Sequence, residues 1–340
     1  MDKNSASNPR DAVRHGMPAS SGCGTGPRST QAPDVQRHHA VTLPGPVVSG
    51  STRYHSILFM RTGDSADAAG RAAPDFFHDL NLDQIVDAIT TGRQEYDLTA
   101  FFHARPGDLD AVAYRQEVMR DLESPALRQV VNAFAEAMRS MRKRLVQAGK
   151  LYYKYEKERW FLGAVAIHCD AVERLGRELA PLELTSRGML AWRRHLAEYL
   201  GAENFAGLAR DTKELESDLG DIRYCVLIKG NSVTVRHYDG EIDYSAAVEE
   251  TFQKFRRGAV TDYRVKFPGW PGMNHVEAQV LDRVALLNPE LFARLDRYCV
   301  EHAGYLDQKV ADFDREVQFY LAYLEYGETF VGAGLSFCYP

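Results

Sequence analysis

The sequence has no run of 18 apolar residues, so no segment is suited to cross a membrane as a helix. No apolar stretch follows its first basic residues, so a secretory leader is not expected and cytoplasmic residence is. Cysteine is sparse and scattered: Cys23, Cys169, Cys225, Cys299 and Cys338 include no Cys-x-x-Cys pair. That argues against a disulfide framework and against a zinc ribbon, and leaves buried free thiols as the plain expectation. Positive charge is in deficit, with 41 Lys and Arg against 47 Asp and Glu and a net charge of −6. Such a balance speaks against a dedicated non-specific nucleic-acid binder, whose affinity comes from counterion release, but it allows a local basic surface. No Gly-x-x-x-x-Gly-Lys-Ser/Thr loop occurs, so no backbone cradle for nucleotide phosphates is expected; the glycine-rich stretch 20–27 is not followed by Gly-Lys-Ser/Thr. No Gly-x-Ser-x-Gly elbow is present either.

What is present is a 340-residue chain with 45% apolar and 26% charged residues, an ordinary globular balance. Residues 1–53 are rich in Ser, Gly, Pro, Arg and His and read as disordered, because they cannot bury enough apolar area to offset their ordering entropy. Tyr54 to Met60 fits a short strand, residues 63–73 a linker, and order is expected from Pro74. Phe76, Phe77, Leu80, Ile85, Val86 and Ile89 have helical spacing, with Asn81 or Asp83 as a cap. A connection at 96–102 precedes a helix over 108–122.

Between Pro125 and Pro181 apolar residues recur at steps of three and four, from Leu127 through Phe134 and Met141 to Leu162, Val172 and Leu179. A single helix here would have about 54 residues and reach about 80 Å, with Gly149 and Gly163 as the places to bend or break. Helix is again expected over 186–219. The period then changes to two at Ile222, Tyr224, Val226, Ile228 and at Val233, Val235, His237, with Lys229-Gly230-Asn231-Ser232 between: a β-hairpin. Helices are expected over 244–257 and, after a Pro/Gly loop, over 274–326 with a break at Pro289; 327–340 reads as a loop. The fold class is therefore mainly α, elongated, with a helical core and long helices around a small inserted β-hairpin.

This order, and several local stretches, resemble the core, lever and clamp of MutS-type mismatch-repair proteins, in particular a MutS-related bacterial group. The stretch 108–118 resembles the family's early core segment, with Arg115-Gln116 and Val118 before a helix end. The hairpin 222–238 with Asp243-Tyr244-Ser245 and Val248-Glu249 resembles the clamp insertion. Leu306-Asp307 through Glu325, then Phe337-Cys338-Tyr339-Pro340, resembles the end of the lever where it enters the ATPase domain. The resemblance spans roughly residues 75–340. It implies a division into a disordered segment and linker (1–73), helical core (74–124), outgoing lever helices (125–220), clamp-like hairpin (221–243), returning lever helices (244–326) and the stub of a missing C-terminal ATPase domain (327–340). No Phe-x-Glu wedge in an N-terminal mismatch-reading domain is found, that domain being absent, and the family's nucleotide loop is absent too. No ATP hydrolysis by this chain alone is expected, ATP and magnesium belonging to the missing domain. The implied partners are double-stranded DNA and either a second copy or a separate ATPase chain, and the implied location is the nucleoid.

A clamp of this kind holds phosphates rather than base edges. Candidate contacts are Lys229 at the hairpin turn, Arg236 on its polar face, Arg256 and Arg257 after the next helix, and Arg142, Lys143 and Arg144 in the outgoing helix. The last three lie in a basic run, 128–159, with nine Lys/Arg against three Glu and with Tyr152, Tyr153, Tyr155, Trp160 and Phe161 interleaved. Solvated charge over an aromatic core stripe explains the same pattern, and a helical scaffold or self-association module without DNA is the competing reading. His168-Cys169-Asp170 has the wrong spacing for a metal, and His275-Val276-Glu277 lacks the cysteine pair of a zinc deaminase. Asp312, Asp314 and Glu316 read as a solvated acidic face. No catalytic, metal or nucleotide-binding residue is assigned.

Overall fold

A computed structural model describes residues 54–61, 73–242, 244–255, 272–336 and 338–339. The expected disorder of 1–53, most of the 63–73 linker, the loop with Pro268 and Pro271, and the candidates Arg256 and Arg257 lie outside the described residues. Residues 51–340 belong to one packed unit. In chain order its helices are α1 (Phe76–Asp79), α2 (Leu82–Thr90), α3 (Thr99–His103), α4 (Leu109–Leu122), α5 (Pro125–Lys150), α6 (Lys154–Leu179), α7 (Arg187–Leu200) and α8 (Glu203–Gly220). Strands β1 (Tyr224–Lys229) and β2 (Ser232–His237) follow, then α9 (Tyr244–Phe255), α10 (His275–Leu287), α11 (Pro289–Glu301) and α12 (Gln308–Gly332). The fold is mainly α with one small antiparallel hairpin, as the sequence predicts.

Local chemistry sets most boundaries. Asp108 accepts the Ala111 amide at 2.9 Å and starts α4. Asn274 and Glu277 form a reciprocal capping box at α10. Pro125 and Pro289 occupy first-turn positions, where the missing N–H costs nothing. Asn81 precedes α2 in a left-handed conformation (φ 52°) and makes no side-chain cap, so the 76–89 pattern is split between α1 and α2.

The 54-residue helix does not form. The chain leaves the helix at Leu151 (ψ 156°) and re-enters after Tyr153 (ψ 136°), giving two 26-residue helices packed antiparallel. The apolar periodicity runs through the break because Leu151 and Tyr155 both face inward. Gly163 does not bend α6: it lets the helices close, and a Cβ there would stand 2.8 Å from Arg144 Nε. Similarly 186–219 divides into α7 and α8, and α12 continues past Gly327 to Gly332 where a loop was expected.

α12 lies against α2, α4 and α5. Phe313 on it stacks on Trp192 of α7 with centroids 4.0 Å apart, and Trp192 is fully buried. The segment 54–60, expected as a strand, pairs with no strand among the described residues. Side chains hold it instead. Glu316 accepts Ser56 Oγ at 2.6 Å and the Ile57 amide at 2.9 Å. Tyr320 and Tyr114 donate to the Ile57 and Ser56 carbonyls, and Arg115 donates to that of Leu58. Ile57, Leu58 and Phe59 are thereby buried.

The solvated acidic face is also corrected. Asp314 and Glu316 are buried, Asp314 ion-paired to Arg142. Burial pushes the Asp314 carboxyl up to about 6 against the pull of Arg142, and pushes Glu316 up to about 7 against its bonds to Ser56 and Ile57. The tail folds back across α4: Arg120 lies 4.3 Å over the Tyr339 ring and Tyr339 donates to Glu123. Beside it is a mainly aromatic and aliphatic cavity of about 480 Å³ between α4 and α12.

Candidate nucleic-acid interface

The end of α8, which leads into the hairpin, and the start of α6 are remote in sequence and tied together in space. Arg159, five residues into α6, pairs with Glu216 near the end of α8 at 2.9 Å, and Arg294 of α11 pairs with Asp218. Lys154, at the first position of α6, reaches Asp296 of α11 at 2.6 Å. The Met273 amide donates to buried Glu156 at 2.8 Å, which ties the entry of α10 to the same turn of α6. Since β1 starts four residues after α8 ends and α10 packs on β2, the root of the hairpin and the start of α6 stand at one end of the helical assembly.

The register pairs Tyr224 with His237, Val226 with Val235 and Ile228 with Val233. Directly opposed residues share a face, so this face is apolar. Its root is partly covered, Val235 packing on the core, while Ile228 at the tip is 75% exposed. The other face carries Cys225 with Arg236, Leu227 with Thr234 and Lys229 with Ser232, so both hairpin cations lie on one side. Gly230 takes φ +58° at the turn, a conformation glycine adopts without strain.

The candidates named from the sequence divide by their partners. Arg142 is held by Asp314, by the Tyr96 hydroxyl and by the Tyr96 ring 4.7 Å below it. Arg144 lies 4.9 Å over the Trp160 ring against α6. Both guanidinium groups are taken up inside the fold. Lys143, between them, is exposed with no ion-pair partner among the described residues. Arg236 pairs with Glu241 at 2.5 Å yet stays half-exposed, and Lys229 is exposed and unpaired among the described residues. Elsewhere in the basic run Arg128, Arg139, Lys154 and Arg159 are in ion pairs. Lys150 and Lys157, which flank the α5–α6 turn, are exposed and unpaired among the described residues. The turn also presents Tyr152, 85% exposed.

Beside them the Glu158 carboxyl is pushed up to about 7, first by burial and then by the Asp296 carboxylate, with Lys154 opposing. Its protonation below that pH adds to the positive balance of this end. No group of three or more His, Cys, Asp or Glu able to hold a metal occurs among the described residues. His168 and Cys169 are buried and Asp170 is exposed, so the triplet does not converge. Burial pushes His168 down to about 4. No helix of the described residues is long and apolar enough to cross a membrane. Comparison with protein-family models, curated proteins and solved structures finds no match to this chain.

Proposed function

We propose that this chain is the DNA-contacting core, lever and clamp portion of a MutS-like mismatch-repair protein, holding double-stranded DNA by its backbone and acting with an ATPase supplied elsewhere. One observation carries the reading. A hairpin inserted between α8 and α9 carries exposed Lys229 and half-exposed Arg236 on one face, and exposed Lys150 and Lys157 flank the α5–α6 turn with Lys143 two helical turns before it, none of these lysines having an ion-pair partner among the described residues. Exposed cations without an internal carboxylate partner are the groups that exchange counterions with phosphate, and Arg236 joins them by exchanging Glu241 for a phosphate. The net charge of −6 is met in part locally, Glu216, Asp218 and Asp296 being held in pairs with Arg159, Arg294 and Lys154. Arg142 and Arg144 are left out of the contact set. The sequence resemblance supplies the family, and the position of the hairpin within the helical order agrees with it.

The test is binding of a fluorescein-labelled 30-base-pair duplex followed by anisotropy at 50 and 200 mM salt. Five phosphate contacts give a log–log slope near −4.5 and about a 500-fold loss over that range. Lys143→Gln with Lys150→Gln and Lys157→Gln should flatten the slope by about 3. Absence of binding at 50 mM salt refutes the reading. A second reading, a scaffold that self-associates without DNA, is favoured by the exposed stripe Tyr244, Val248 and Phe252 on α9. It predicts a concentration-dependent mass in sedimentation and no DNA binding at either salt.

A further inference from the structure

The aromatic and aliphatic cavity of about 480 Å³ between α4 and α12 is space that the chain does not fill. Tyr320, Tyr323, Leu324, Gly327 and Val331 line it at steps of three and four along one face of α12. Gly327, in the middle of that face, contributes no side chain, and a Cβ there would meet nothing within 4 Å. Met119 of α4 and the touching rings of Phe102 and Phe319, centroids 4.6 Å apart, complete the apolar lining. The tail does not plug the space either. Tyr339 is held as part of the wall, its ring under Arg120 and its hydroxyl on Glu123.

The charged groups of the lining are already satisfied. Arg128 pairs with Glu328, Glu123 accepts the Tyr339 hydroxyl, and Arg115 donates to the Leu58 and Ala104 carbonyls. Gln116, partly buried in the same wall, has no hydrogen-bond partner among the described residues. An apolar hollow with one unspent amide and no unspent charge is the composition of a small-molecule site. A charged guest would have its charge unpaired against this lining, whereas a single neutral donor or acceptor would give Gln116 the partner that the fold does not supply. An apolar void of about 150 Å³ takes a benzene ring, so this cavity has room for about three rings. We propose that it binds an uncharged, mainly aromatic small molecule of that size, whose one polar group meets the Gln116 amide. The inference uses no residue of the DNA reading and stands or falls apart from it.

The full chain is titrated with N-phenylnaphthylamine, an uncharged probe of three rings and one N–H whose fluorescence rises on leaving water. One equivalent should bind with a micromolar Kd. Anilinonaphthalene sulfonate, the same skeleton with an anionic group, should bind at least tenfold more weakly. Gly327→Leu fills the space without striking an atom and replaces a glycine within a helix. It should therefore melt no lower than the unsubstituted chain while weakening the probe at least tenfold. Leu324→Trp fills the cavity from the neighbouring position and should give the same loss. Gln116→Leu should weaken the probe about fivefold, the worth of one neutral hydrogen bond. Tyr244→Ser with Phe252→Ser, on the exposed stripe of α9, should change nothing. Absence of saturable binding at 50 µM probe overturns the proposal. So does binding that both cavity-filling substitutions leave intact, or that the α9 substitutions remove. Sulfonate bound as tightly as the uncharged probe, or no effect of Gln116→Leu, overturns the ligand class. Self-association blocked by Gly327→Leu, with no probe bound, assigns the cavity to a second copy of the chain instead.

Discussion

Replacing Glu316 should unfasten the segment 54–60 from the core. Its carboxylate accepts from the Ser56 hydroxyl and from the Ile57 amide, and Ser56 Oγ in turn accepts the Leu58 and Phe59 amides at 2.9 and 2.8 Å. Glu316→Ala strands two buried donors at about 1–3 kcal/mol each and leaves a void where the side chain stood. A total loss of about 3–5 kcal/mol is expected, lowering the melting temperature by roughly 10 °C for a unit of this size. Glu316→Gln keeps the shape and one acceptor, turns an NH₂ toward a donor, and should lose about half as much. The pH dependence separates the causes. Burial holds the Glu316 carboxyl up near 7, against 4.5 for the ordinary group. The folded protein therefore binds the extra proton between those values, and the stability it confers is complete below pH 4.5 and lost as pH rises through 7. Between pH 5.5 and 8 the unsubstituted chain should lose about 2 kcal/mol relative to Glu316→Gln, narrowing the gap between them. Urea titrations followed by circular dichroism at the two pH values measure this. Equal midpoints for Glu316→Ala and the unsubstituted chain, or a gap that does not change with pH, would refute the reasoning.

Gly188→Ala should destabilise by about 1–3 kcal/mol, because the new methyl meets buried Val118 at 2.7 Å, and the urea midpoint reports it. Trp192→Ala removes a fully buried ring stacked on Phe313 and should cost about 3–5 kcal/mol in the same assay. Asp121→Ala strips the acceptor that holds Thr185 and Ser186 through both their amides and hydroxyls; a cost of about 3–5 kcal/mol is expected, with amide hydrogen exchange accelerating first at the start of α7. ATP turnover by the rigorously purified chain should equal the no-protein control, since no phosphate-binding loop occurs in the sequence.

The hairpin was legible because alternation at Ile222–Ile228 and Val233–His237 is a local signal, and Lys229-Gly230-Asn231-Ser232 marks its turn. The break at Leu151 was not, since inward-facing residues on both sides keep the helical step and only Gly149 hints at an end. Asp314 and Glu316 were misread because their partners, Arg142 and Ser56, lie 172 and 260 residues away and no spacing encodes them. The candidate site shows the same limit on a smaller scale. Arg142, Lys143 and Arg144 are consecutive and look equivalent, but neighbours on a helix point about 100° apart. One is spent on Asp314, one on Trp160, and only Lys143 is left to solvent. Tyr152, Lys150 and Lys157 lie within the basic run, yet only the break between α5 and α6 shows that they gather at a turn.

The distance between Ser56 and Glu316 has a consequence for biosynthesis. At ribosomal speeds of roughly 5–20 residues per second, the 260 residues between them take about 10–50 s to emerge. Throughout that interval Ile57, Leu58 and Phe59 have been synthesised but their seat has not, so a sticky tripeptide waits uncovered for its receptor to be translated. The helices from α4 to α8 can assemble locally in the meantime, whereas closure of the core is a late event, and shielding of that nascent segment by a chaperone would govern the yield of active protein.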